Sequence, residues 1–403
     1  MTNLPQGWEV KTLSEIGEIV TGSTPSKSNL DFYGKDYPFF KPSDFEQGYF
    51  LENAGDNLSK LGFGKARQLP PKTILVVCIG SLGKVALTKV IGSCNQQINA
   101  IIPHKNIISE YIYYYCISSK FQSILFSKAP QTTLAILNKT EFSKLEIIYP
   151  KDIKEQERIV GILDFAFSKI DENIKKAKEN LANIDELMQS ALQKAFNPLN
   201  DNTKENYQLP QSWEWKSLGD TSNYGKTSQV KPSQLKGNDW ILELEDIEKE
   251  SGVLLQKVLF QDRQSKSNKI KFNKGDILFG TLRPYLKKVI IADDNGACSS
   301  EIMPFSTGNS IINHFIYYYL FANFLHDRIS SLTYGARMPR LGTKDGKSLQ
   351  IPLPPLQEQE QIAEHLDFVF EKAKALKELY TKELKDYEEL KQSLLDKAFK
   401  GEL

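Results

Sequence analysis

The chain has 403 residues, 40% hydrophobic and 25% charged, the make-up of an ordinary soluble protein but too long for one compact core, so two or three units are expected. Fifty-one Lys and Arg against fifty Asp and Glu leave a net charge of +1, which argues against a strongly basic polyanion binder. No apolar run nears the eighteen or so residues of a membrane span, and the opening MTNLPQGWEV lacks the basic and apolar regions of a secretory signal, so the cytoplasm is the expected compartment.

In chain order, LPQGWEVKTL comes first, with Trp8 as an anchor for a globular stretch rich in Gly, Pro, Ser and Thr. Its turns are polar. TGSTPSKS joins the hydroxyls of Thr24 and Ser26 to Lys27, and FFKPSDF sets Lys41 and Ser43 on a proline turn. Residues Thr73–Ile79 and Gln97–Ile102 read as strands. Between them GSLGKV, carrying Lys84, is two residues short of a phosphate-binding loop and has no Ser or Thr to hold magnesium. CNQQINAI places Asn95, Gln96 and Gln97 at the start of a strand, and such amides can pair bidentately with adenine in a major groove. The run Tyr113–Tyr115 reads as core rather than as a base-stacking platform.

After Pro150 the composition changes, and about 45 residues follow with no proline and one glycine, Gly161, which predicts a single helix of roughly 65 Å. Ile170, Ile174, Ala177, Leu181, Ile184, Met188, Ala191 and Ala195 step alternately by four and three residues, the seam of a coiled coil. The NPLN at Asn197 is not the turn expected of an amino-methyltransferase. LPQSWEWKSL then opens a second globular stretch at Leu209. This stretch offers Lys226, Thr227 and Lys231 in YGKTSQVKPSQLKG, strands near Ile241–Leu244 and Asp276–Phe279, and Arg283, Tyr285 and Lys287 in TLRPYLKK. It continues through a second tyrosine run, Tyr317–Tyr319, to Arg337 and Arg340 in YGARMPRLGTK. Arginine is the usual reader of guanine and lysine more often holds phosphate. ELEDIEKE at Glu243 reads as a solvated face rather than a nuclease signature. Past Pro354 and Pro355 a second long helix carries Leu376, Tyr380, Leu384, Tyr387 and Leu394 on one face, with Ala373, Leu390 and Ala398.

The second stretch repeats the first. Trp8 aligns with Trp213, Leu75 with Leu278, Tyr111 with Phe315 and Glu186 with Glu389, a nearly constant spacing of about 204 residues. The chain is a tandem duplication. Each narrow apolar seam on so long a helix needs a partner of similar length, and the other copy's helix is the nearest one. The expected fold is α+β: two tandem mixed, mainly β domains separated by two long helices that form an antiparallel, pseudo-twofold coiled coil. Boundaries fall at 1–151 for the first domain, 152–198 for the central helix, 199–208 for a linker, 209–353 for the second domain and 354–403 for the C-terminal helix. The stretches 153–197 and 356–403 together hold 15 basic against 20 acidic residues, so positive charge belongs to the globular parts, which should hold any bound nucleic acid.

Catalytic tools are scarce. Cys78, Cys94, Cys116 and Cys298 stand singly and read as buried thiols, and His104, His314, His326 and His365 belong to no metal or nucleophile motif.

Domains opening on LPQGWE and LPQSWE, each closed by an EQE-x-I-x-x-x-LD helix and a final KAF, resemble the specificity subunit of type I restriction-modification systems over nearly the whole chain. PLPPLQEQEQIAEHLD carries the resemblance most specifically; GSTPS, KPSD and NQQINAI also fit, while YPKDIKEQERI departs from the family's usual helix start. The resemblance implies two target recognition domains joined by two conserved helices, each domain reading half of a split, asymmetric site on double-stranded DNA. It implies as partners two modification subunits that methylate adenine N6 with S-adenosylmethionine, and restriction subunits that use ATP and magnesium. The chain itself would need no cofactor and no metal and would catalyse nothing. A duplicated protein-binding scaffold with a coiled-coil spacer is the alternative, and the near-neutral charge and acidic helices suit it.

Overall fold

The computed structural model describes residues 4–129, 135–199, 208–263, 265–308 and 311–403, so most of the expected linker, 200–207, lies outside the described residues. The chain divides into two compact units, one of 1–177 with 381–403 and one of 178–380. Each long helix, Ile153–Phe196 and Leu356–Ala398, therefore contributes to both.

In the first unit strand β1 (Trp8–Thr12) pairs antiparallel with β10 (Glu146–Pro150), placing Trp8 opposite Pro150 and tying the two ends of the domain together. The main sheet has the order β2–β9–β6–β7–β4, with β2 at Gly17–Thr21, β4 at Phe50–Leu51, β6 at Ile74–Val77, β7 at Val85–Thr88 and β9 at Ile98–Pro103. β6 is the unbroken apolar run ILVV. All four residues are buried, as a central strand covered on both faces requires. A smaller sheet, β5–β3–β8, joins Asp56–Leu58, Tyr33–Phe40 and Ser93–Cys94. Helices Ser109–Ile117 and Ser119–Lys128 cover the main sheet; of the tyrosine run read as core, Tyr114 and Tyr115 are buried in it and Tyr113 packs half-buried against it, with Tyr111 also in the core.

The second unit repeats this plan. β11 (Glu214–Ser217) pairs with β21 (Gln350–Leu353), and β15 (Ile277–Gly280) lies between β16 (Val289–Ile291) and β18 (Ile302–Phe305). A second sheet runs β12–β14–β17–β13, from Gln229–Val230 through Lys269–Phe272 and Gly296–Cys298 to Trp240–Leu242. Short β19 (Thr333–Tyr334) and β20 (Arg340–Leu341) form a separate antiparallel ribbon, and helices Asn313–Tyr319 and Asn323–Leu332 follow the first unit's pair. The four cysteines are free and buried.

The long helices pack antiparallel inside each unit. In the first, Lys391 reaches Asp171 at 2.5 Å and Arg158 donates to the Leu403 carbonyl at 2.8 Å. In the second, Lys377 pairs with Asp185, and Ile184 and Met188 pack with Ala373 and Tyr380. Ile170, Ile184 and Met188 are buried at the seam, while Ile174, Leu181, Tyr380, Leu384, Tyr387 and Leu394 are half-buried.

The seam of the C-terminal helix needs a correction. Leu376 and Leu390 face solvent, 42% and 46% exposed, and the heptad positions beside them belong to Lys377 and Lys391. Each lysine lays its methylene stem along the seam and carries its ammonium to an aspartate of the other helix. Counting only apolar residues shifts the stripe by one position, because a lysine can serve as its filler.

The start of the central helix lacks the Pro-Pro of the C-terminal one. Asp152 supplies the cap instead, its Oδ1 accepting the Lys154 N–H at 3.0 Å.

Each domain's core is closed by the far end of the helix that does not follow it. Phe399 stands edge-on to Tyr111 and Tyr115, with ring centroids 5.4 and 4.9 Å apart, and Phe196 meets Phe315 and Tyr319 at 5.1 Å each. Truncating a buried phenylalanine costs about 3–5 kcal/mol. Phe399→Ala should therefore speed hydrogen exchange in Ser109–Ile117 and leave Asn313–Tyr319 unchanged, and Phe196→Ala should do the reverse, as peptide-resolved exchange would read.

Candidate nucleic-acid interface

Polar side chains reach the surface of each domain where loops leave the sheets. In the first domain the turn before β9 and the loop after β2 are sewn together. Gly22 N donates to the Ile98 carbonyl at 3.0 Å and Ser23 N to that of Cys94 at 3.0 Å. A Cβ on Gly22 would stand 2.1 Å from the Asn95 carbonyl oxygen, so only glycine permits this approach. The loop closure brings the Thr24 hydroxyl to Gln96 Oε1 at 2.5 Å and leaves Ser26, hydrogen-bonded to Ser28 at 2.7 Å, and Lys27 exposed. Lys84 is exposed and pairs with Glu46 at 2.5 Å, Ser43 is exposed, and Lys41 pairs with Asp56.

Two of the amides singled out by sequence face inward. Asn95 is buried; its Nδ2 donates to Gln97 Oε1 at 2.8 Å and its Oδ1 accepts the Gln97 N–H at 3.1 Å. Gln97, half-buried, donates in turn to the Ile79 carbonyl at 3.4 Å. These two shape the turn, and Gln96 is the amide that reaches solvent. Asparagine and glutamine serve turns and bases equally well, so residue type alone could not separate the three.

In the second domain Lys226 and Thr227 are exposed before β12 and Lys231 just after it. The loop after β15 is fastened to the segment before β20, with Arg283 N donating to the Pro339 carbonyl at 2.7 Å and Leu341 N to that of Thr281 at 2.9 Å. Arg283, Tyr285, Arg337 and Arg340, widely spaced in sequence, therefore come from two abutting segments. Arg340 also lies 3.9 Å from Glu301. Beside them opens a cavity of about 540 Å³ whose lining includes Arg283, Glu301, Lys288, Arg263 and Met338.

Lys287 is a correction. It is only 6% exposed, and its ammonium donates to the Phe321 carbonyl at 3.1 Å and to Asn323. Burial lowers its pKa, and it serves the fold instead of a phosphate. The acidic stretch at Glu243 is a second correction. Asp246 is fully buried and accepts from Arg263 at 2.7 Å, and Glu243 pairs with buried Lys269 at 2.7 Å. Their cationic partners lie well downstream, where sequence proximity gives no signal. Met338 was likewise missed, because nothing in its local sequence marks a cavity wall.

Matched glutamines lock these surfaces to the helices. Gln156 is fully buried, its Oε1 accepting the Ile108 N–H at 2.9 Å; Gln359 does the same for Ile312 at 3.1 Å. At the opposite helix ends Gln392 accepts from Ser119 N at 3.0 Å and Gln189 from Asn323 N at 3.1 Å. Tyr114 donates to Asp164 at 2.6 Å and Tyr318 to Asp367 at 2.5 Å. Among the described residues no group of three His, Cys, Asp or Glu is placed to hold a metal ion, and no helix is long and apolar enough to cross a membrane.

Comparison with known proteins follows the same duplication. The family described as type I restriction modification DNA specificity domain matches residues 5–183 and again 210–385. The HindI specificity subunit of Haemophilus influenzae is 39% identical over 42% of this chain and 38% of its own length. The MjaIX specificity subunit of Methanocaldococcus jannaschii is 29% identical over 54% of this chain and 52% of its own, so the chain spans about half or less of these two relatives. The EcoDI specificity subunit of Escherichia coli is 23% identical over 99% of this chain and 89% of its own. A chain solved in a study of the assembly and conformational transition of a type I restriction-modification system superposes with a TM-score of 0.78 at 19% identity, covering all of both chains. The specificity subunit from Thermoanaerobacter tengcongensis gives 0.54 at 20% identity, over 99% of this chain and 98% of its own. At these identities the structural likeness is one of fold.

If exposed lysines hold phosphate, each removed contact lowers the slope of log binding constant against log salt by about 0.9. Lys226→Ala should reduce that slope by about one contact. Lys287→Met should leave it unchanged while lowering the thermal midpoint, because a buried carbonyl loses its donor.

Proposed function

We propose the function from one premise: the chain belongs to the type I restriction-modification DNA specificity family. It is the DNA-reading and scaffolding subunit of a cytoplasmic type I restriction-modification complex. Each domain reads one half of a split, asymmetric site on double-stranded DNA, and the paired helices set how many unread base pairs separate the halves. The supporting observation is one frame built twice with two different polar faces. Phe196 and Phe399, Gln156 and Gln359, Gln189 and Gln392 occupy matching places, while the loops carry Thr24, Lys27 and Gln96 in one domain and Arg283, Arg337 and Arg340 in the other. Lys27, Lys41, Lys84, Lys226 and Lys231 are assigned to phosphate, and Gln96 and the arginines to base edges.

The chemistry belongs to partners. Two copies of an adenine-N6 methyltransferase subunit using S-adenosylmethionine, and restriction subunits using ATP and magnesium, complete the complex. Support for a partner bound twice comes from exposed apolar side chains at matching places on the long helices. Phe165 and Phe368 are 70% and 59% exposed, and Leu187 and Leu390 are 59% and 46% exposed. A large apolar side chain left in solvent twice at one position suits one surface offered to two identical chains.

Two experiments test this reading. In an electrophoretic shift with the modification partner present, a duplex carrying a genomic N6-methyladenine site should bind at least about a thousandfold more tightly than one with both halves scrambled; equal affinities would overturn it. In native mass measurements Phe165→Glu and Phe368→Glu should each leave one methyltransferase copy bound where the parent chain binds two. Two copies on both variants would remove the docking role of these rings.

A further inference from the structure

We infer that the half-site read by the second domain contains a C·G pair selected by Glu301 and Arg283, an assignment that rests on the DNA-reading function proposed above. Glu301 occupies the place that Gln97 holds in the first domain. The carbonyl of Gln97 accepts from Cys78 N at 2.7 Å and that of Glu301 from Thr281 N at 2.8 Å, the same bond in the two frames. The N–H of Gln97 turns back onto Asn95 Oδ1 at 3.1 Å and that of Glu301 onto Ser299 Oγ at 3.4 Å. The side chains then differ. Gln97 is spent internally on Asn95 and the Ile79 carbonyl, whereas among the described residues the Glu301 carboxylate meets only the Arg340 guanidinium, at 3.9 Å.

Arg283 stands in the same relation to Gly80. Each begins the loop after the central strand, with Gly80 N donating to the Ala135 carbonyl at 3.3 Å and Arg283 N to that of Pro339 at 2.7 Å, beside the bridges Ile79–Ile136 and Leu282–Arg340. Both have left-handed backbones, φ 82° for Gly80 and φ 50°, ψ 56° for Arg283. Glycine takes that conformation without a steric penalty, and an arginine does not. The fold holds this conformation through the Arg283 N–H on the Pro339 carbonyl and the Leu286 N–H on the Arg283 carbonyl, at 2.9 Å, while among the described residues no polar partner is seen for the guanidinium. The backbone therefore presents an exposed, uncommitted guanidinium where the first domain has only a glycine.

The two side chains line one cavity, of about 540 Å³, with Met338 and Lys288. A carboxylate can only accept hydrogen bonds and a guanidinium can only donate them. In the major groove cytosine offers its N4 amino donor, and its paired guanine offers O6 and N7 as acceptors, so an acceptor-only and a donor-only side chain on one cavity match C·G. Adenine, the other base with an amino donor, sets its N7 lone pair beside that amino group, which repels a carboxylate and suits an amide.

Selection from a pool of random-sequence duplexes by the complex of the full chain with its modification subunits tests this. The parent complex should enrich a two-part motif with a C·G pair at one position of one half. Glu301→Gln should shift that position toward A·T by about tenfold and leave the other half as it was. Arg283→Gly, which installs the first domain's residue, should cost a similar factor in the guanine preference while raising the thermal midpoint through relief of the left-handed strain. A two-part motif identical in parent and Glu301→Gln, or altered in both halves, overturns the inference and leaves the proposed function standing. A parent complex that enriches no two-part motif overturns the function and this assignment with it.

Discussion

The insertion of Phe399 among Tyr111 and Tyr115, and of Phe196 among Phe315 and Tyr319, is the contact on which the rest depends. Neither sequence repeat holds a complete core by itself. The first needs the last turns of the C-terminal helix, with Leu395 and Ala398 fully buried, and the second needs Leu192 and Phe196 from the central helix. A helix that must end in a domain it does not follow has its direction prescribed, and the antiparallel seam inside each unit is the consequence. Lys377 with Asp185 and Lys391 with Asp171 bridge the two helices in the same antiparallel register in both units.

Rigidity of the polar faces follows from the same contact. Buried Gln156 and Gln359 each satisfy backbone groups of the adjoining domain, while Gln189 and Gln392 cap the N-termini of neighbouring helices. A buried amide left without these partners would cost about 1–3 kcal/mol, so each domain has one well-defined seat on its helices. Loops carrying Thr24, Gln96, Arg283 and Arg340 lie outside this frame, and their side chains are free to differ between the copies. Such a division between a fixed frame and variable loops is what reading two unrelated short sequences demands.

Much of the frame was legible in the sequence because the duplication marks it. Trp8 with Trp213 and Glu186 with Glu389 announce one unit written twice, and the steps from Ile170 to Ala195 show the seam of the central helix. The second seam was read one residue off at Leu376 and Leu390, because Lys377 and Lys391 fill those places with methylenes that hydropathy counts as polar. The interface was less legible. Lys287 carries the same charge as Lys226, yet only its bonds to Phe321 and Asn323 show it to be internal. Asp246, in the stretch read as a solvated face, is buried against Arg263, a residue that the topology and not the sequence brings near.

The central claim, that two differently faced copies of one frame touch DNA separately, is tested most directly by hydroxyl-radical footprinting of the chain, with its modification partner, on a duplex it binds specifically. The account predicts two protected patches separated by cleavable base pairs, with Arg340→Ala opening only one of them. One continuous protected stretch, or loss of both patches together in that variant, would contradict it.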